Sequence, residues 1–216
     1  MSILFPKDFL CKISISIIWL FHFCGALGII YGNKELFLSF TPINLFISFL
    51  LLFVNQNELE NKNIITAMLI FTIGMFAEIL GVNYGIIFGE YIYLDNLGYK
   101  IMGVPVVIGI QWIILTFITG SFTAYVFKNN KFKAILAGVI LLVVLDILIE
   151  PVAPSMGFWI FSTVEAPIQN YFGWFLVSVP VQMLFHYGIE RKDTTFSFHL
   201  LIIQFLFFGT INILAL

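Results

Sequence analysis

The stretch VILLVVLDILIEPVAP, residues 139–154, sets two acids, Asp146 and Glu150, in an otherwise apolar run. A charge at the centre of a bilayer-spanning helix costs about 3 kcal/mol or more, so acids retained there point to function. Spaced i and i+4, the two carboxyls stack on one helical face, and Pro151 stops the helix just beyond them. Glu150 therefore has two readings: it snorkels to water at the helix end, or it pairs with Asp146. Two carboxylates so close in low dielectric are not both comfortably ionised, and a proton held beside a charge is what acid–base chemistry needs. A third acid, Glu78, lies in FTIGMFAEILG, residues 71–81. It shares a face with Gly74, Gly81 and Gly85, whose small size allows a neighbouring helix to approach, so it points into the bundle.

Composition fixes the class. Hydrophobic residues form 61% of the 216-residue chain and charged residues 10%, and the mean hydropathy is +1.05. A soluble domain carries about 25% charged residues, so a water-soluble core is excluded. The net charge of −2 argues against a nucleic-acid partner, which needs a basic patch. Cys11 and Cys24 share one apolar run and suggest neither a disulfide framework nor a metal site. Lys7 and Lys12 precede that run, but no small-residue cleavage site follows, so it reads as a retained span rather than a signal peptide.

Seven apolar runs are candidate spans: 10–31, 36–54, 64–84, 103–127, 132–150, 171–187 and 197–216, the second and sixth being short. No linker or repeat of fixed period divides them. Residues 1–216 thus read as one membrane-embedded domain, an all-α polytopic bundle of about seven transmembrane helices in the lipid bilayer. Eight of the ten basic residues (Lys7, Lys12, Lys62, Lys128, Lys131, Lys133, Arg191 and Lys192) fall at the N-terminus and in alternate loops, with only Lys34 and Lys100 opposite. The positive-inside rule then predicts a cytoplasmic N-terminus, in a multi-pass protein of a bacterial inner (plasma) membrane. Loops 85–102 and 151–170 and all three acids fall toward the outer side.

Those loops hold the remaining candidates. In FGEYIY, residues 88–93, Tyr91 and Tyr93 share a face if the backbone is extended. They read either as an interfacial aromatic belt or as a lid turning its hydroxyls on a reaction centre. Trp159, Gln169, Asn170 and Trp174 add rings and amides, and aromatic faces stabilise cations where water is scarce. His22, His186 and His199 lie on different runs without ligand-like spacing, so the expectation is no metal. No phosphate-binding loop, dinucleotide fingerprint or cysteine pair is present, and no cofactor is expected.

The run GxxFGEYxYxxxLGxKxxGVP over Gly85–Pro105, followed by Gln111-Trp112, resembles the polytopic membrane carotenoid 1,2-hydratases, which include bisanhydrobacterioruberin hydratases and γ-carotene 1′-hydratases. Asp146 through Glu150-Pro151, with Trp159, Pro167, Asn170 and Gly173-Trp174, resembles their second motif. Glu150 stands where that pattern commonly has Asp, and Ala166 where it has Gly. The likeness covers roughly residues 75–187. It implies hydration of the terminal C1=C2 bond of a linear (ψ) carotenoid end, giving a tertiary alcohol without a cofactor. It implies Asp146, Glu78 and Glu150 as acid and base candidates, with Tyr91, Tyr93, Trp112, Trp159, Asn170 and Trp174 lining the substrate site. Expected partners are the carotenoid and other carotenoid-pathway membrane enzymes. The competing reading is a proton-coupled membrane carrier relaying protons through Glu78 and Asp146.

Overall fold

The computed structural model describes residues 8–56, 60–163, 165–190 and 193–214; Lys7, Arg191 and Lys192 of the charge census lie outside them. The apolar runs become helices with sequence-encoded ends. Asp8 caps α1 (Phe9–Tyr31) by accepting from the Cys11 backbone N–H at 2.7 Å. After α2 (Lys34–Ser39) and α3 (Thr41–Val54) comes α4 (Asn61–Tyr84), which stops at Gly85 with φ +64°, a left-handed end that glycine adopts without strain. Pro105 leads into α5 (Val106–Val126), and Asn130 caps α6 (Lys131–Ile149). Pro167 precedes α7 (Ile168–Gly188), and α8 (Thr195–Leu214) follows. Within the all-α bundle, α5 packs against α3, α4, α6, α7 and α8 and is its central post.

Among the described residues, five helices are long and apolar enough to cross a membrane: α1, α4, α5, α6 and α8. The expectation is about seven, and two runs account for the difference. Run 36–54 is broken at Phe40, leaving the 6-residue α2 and the 14-residue α3. The other exception, α7, has 21 residues, but Asn170, Ser178, Gln182 and His186 dilute its hydropathy; all four side chains are buried in the bundle. The fourth run also starts late, because Val104–Pro105 is strand rather than helix.

The Lys62 and Lys131 end of the bundle lies opposite the end that holds the three buried acids. At one end Lys62, opening α4, pairs with Glu190 beyond α7 at 2.8 Å, and Lys131 of α6 sits 4.8 Å from the Tyr187 ring of α7. At the other end the loop after α4 meets the loop after α6. Strand β1 (Tyr91–Tyr93) pairs antiparallel with β4 (Trp159–Phe161), Tyr93 opposite Trp159, while β2 (Lys100–Ile101) and β3 (Val104–Pro105) form a second small hairpin. Leu94 N–H to the Phe158 carbonyl (2.8 Å), Ser162 N–H to the Glu90 carbonyl (3.0 Å) and the Asn96 amide to the Met156 carbonyl (2.8 Å) extend the seam. Gln169 of α7 donates to the carbonyls of Gly85 and Ile86, each at 2.9 Å. At Gly173 a Cβ would meet the Ile87 carbonyl, so glycine lets the first loop lie directly on α7.

Candidate active site

Alternation along β1 and β4 decides what faces the bundle. Tyr91, Tyr93, Trp159 and Phe161 are buried, while Ile92 and Ile160 between them are exposed. Both phenols reach Glu78 on α4. Tyr91 Oη donates to Glu78 Oε2 at 2.5 Å and Tyr93 Oη to the same oxygen at 2.8 Å, while Trp112 Nε1 of α5 donates to Oε1 at 3.1 Å. Burial, reinforced by the charge of Glu78, pushes both tyrosine pKa values well above the ordinary phenol value, so they remain donors. Of the three glycines read as one packing face, Gly74 lies against the Trp112 ring and Gly81 against Phe88 and Tyr91, whereas Gly85 is the helix stop.

The second acid cluster is built by α6, β4 and α7. Asn170 spans both carboxyls through one amide nitrogen, donating to Asp146 Oδ2 at 2.8 Å and Glu150 Oε1 at 2.9 Å, and Trp159 Nε1 donates to Glu150 Oε2 at 3.0 Å. Glu150 is 7% exposed and Asp146 fully buried, so the snorkelling reading of Glu150 is corrected: β4 folds over the helix end and closes it from water. Asp146 Oδ1 is buried without a hydrogen-bond donor among the described residues.

Between the clusters lies a cavity of about 30 Å³ bordered by Glu78, Glu150 and Asn170 and walled by Tyr91, Tyr93, Trp112, Trp159 and Trp174. The Trp112 and Trp174 rings stack at 4.4 Å and 19°, and the Tyr93 and Trp159 rings meet edge-on at 5.8 Å. All nine sequence-selected residues thus assemble at one place, with Asp146 set behind the wall and joined to it through Asn170. Phe88, Ile108, Gln111, Ile149 and Phe161 complete the lining and were not singled out as lining from sequence. The alternation that pairs Tyr91 with Tyr93 points equally to Phe161 beside Trp159, and Gln111 adjoins Trp112. The other three are ordinary apolar letters in apolar runs.

Comparison with known proteins identifies the lineage. The family described as carotenoid biosynthesis protein matches over residues 39–216. This chain belongs to that family. It is also 25% identical over 164 residues to the bisanhydrobacterioruberin hydratase of Haloarcula japonica, an alignment covering 69% of this chain and 55% of the relative. The chain therefore spans about half the length of that curated relative. No solved structure matches.

Proposed function

We propose that this protein hydrates the terminal C1=C2 bond of a linear carotenoid end by acid–base catalysis. The observation that carries the reading is the aromatic-walled cavity with a carboxyl on each side. Its 30 Å³ is room for about two waters, at roughly 10–15 Å³ each.

The groups divide into roles by their partners. Asp146 and Glu150 face each other across one amide, an arrangement that holds a single proton between two carboxyls. Glu150 borders the cavity and delivers that proton to C2 of the alkene, with Asp146 behind it as the other half of the pair. The π electrons form the new C2–H bond and leave a tertiary cation at C1. The faces of Trp159, Trp174 and the two tyrosines surround this charge, as suits a cation removed from water. Water adds through oxygen to C1 and gives its extra proton to a carboxylate. Glu78 suits that last role, because its three neighbours all donate to it. Glu78 then passes that proton back through cavity water to the Asp146–Glu150 pair, so every carboxyl regains its starting state and the net change is one water added per double bond.

A proton carrier fits less well. The three acids sit together at one end of the bundle, and Thr116, Thr119 and Gln182, which lie between them and the buried His186 along α5 and α7, do not titrate. The charge census supports placing the acid end on the outer side of the membrane.

Expression in cells that accumulate a linear carotene tests the reaction by mass spectrometry of the pigments. The expected product is heavier by one water, and unchanged pigment overturns the assignment.

A further inference from the structure

Three cavities stand in a row from the flank of α1 to the acids. The innermost is the catalytic cavity. A second, of about 60 Å³, shares Ile108, Gln111, Ile149 and Trp159 with it. A third, of about 280 Å³, shares Thr41, Asn44 and Phe207 with the second and is bordered by Leu20 and Phe21 of α1. Those two side chains are 59% and 41% exposed, on a helix whose composition places its outer surface against lipid.

We propose that this row is the channel through which the chain of a neutral linear isoprenoid enters from the bilayer between α1, α3 and α8. Gln111 and Trp159 form its neck. The proposal rests on the hydration reading only for which end group reaches the acids. The chemistry of the walls selects the ligand class. The outer cavity is lined mainly by Phe, Leu and Ile, while the middle one adds His22 and Gln204 to the Asn44 that both share; neither is lined by Lys, Arg, Asp or Glu. An isoprenyl diphosphate would require cations for its phosphates, and no lining residue supplies one. A hydrocarbon chain needs only apolar walls and a width that narrows toward the reacting end, as these three cavities do.

Gly25 offers a clean way to close the channel. It lines the outer cavity, and a Cβ there would meet only Phe207, at 3.7 Å, an ordinary contact. Gly209 on α8 has nothing within 4 Å and lines none of the three cavities, so Gly209→Phe adds the same bulk elsewhere. Binding is measured by titrating the full chain in lipid nanodiscs with a linear C40 carotene and reading the quenching of tryptophan fluorescence. Filling space that a ligand needs should raise Kd by about tenfold or more in Gly25→Phe. Gly209→Phe should stay within about twofold of the unsubstituted protein, given that no group lies near it. Should Gly25→Phe not accumulate, Asn44→Phe at the junction of the outer two cavities carries the same expectation. Unchanged affinity in the channel variant, an equal loss in Gly209→Phe, or no binding by the unsubstituted protein overturns the channel. Normal binding without any hydrated product in the unsubstituted protein overturns the reaction and leaves the channel standing.

Discussion

Glu78 and Asp146 are both buried carboxyls on membrane helices at the same end of the bundle, yet their surroundings are opposite. Glu78 receives three donors from two tyrosines and a tryptophan. Asp146 receives one, shares it with Glu150, and has an oxygen with no donor among the described residues. A carboxyl ringed by donors suits the proton-accepting role proposed above, whereas two carboxyls sharing one amide donor suit the proposed sharing of a proton. The contrast separates two tasks that residue identity alone leaves interchangeable.

The contrast can be broken most directly at Asp146. Asp146→Asn removes one half of the proton-holding pair. It should lower hydration by about 10²–10⁴-fold, the range for a general acid or base, while leaving the thermal midpoint near that of the parent, because Oδ1 has no donor to strand. Glu78→Gln should also lose most activity, but here two phenols and an indole lose an anionic acceptor, with a stability cost of about 1–3 kcal/mol. A denaturation series on the two variants decides the matter: equal stability losses would erase the proposed division. Tyr93→Phe removes one donor while Tyr91 and Trp112 remain, so the stability loss should be about 1 kcal/mol, with a smaller drop in turnover than Glu78→Gln. The spectroscopic counterpart concerns pH. Burial raises the Tyr91 and Tyr93 pKa values, so both stay neutral near pH 10, where ordinary tyrosines ionise. The double Phe variant should then leave the phenolate absorbance titration through that range almost unchanged. The smallest effect belongs to the far end of the bundle, where Lys62→Ala breaks an exposed ion pair with Glu190 and should alter neither hydration nor stability measurably.

Much of this site is legible in the sequence because rarity is informative in an apolar chain. Acids at 78, 146 and 150 stand out against their neighbours, and i/i+4 spacing puts the last two together before any fold is known. The period-2 alternation of Tyr91 and Tyr93 is visible too, although only the partner strand at 159–161 makes it structure. What escapes is set by contacts between distant segments. Glu150 resembles a helix-end residue until β4 covers it, and Phe88 and Ile108 gain their role only from where the loops and α5 converge. The span count fails for a related reason. Hydropathy measures a helix against lipid, whereas the polar side chains of α7 are buried inside the protein, and the break at Phe40 divides a run whose composition is uniform.

The β1–β4 seam leaves a consequence for how this end of the molecule can change through evolution. Which residues face the acids is fixed by strand parity, since each strand shows its odd-numbered side chains inward and Ile92 and Ile160 outward. Substitution at 92 or 160 is therefore nearly free, while inserting a single residue within either strand would turn its aromatic pair toward the lipid headgroups. Length, more than letter, is the constrained property of these two short segments.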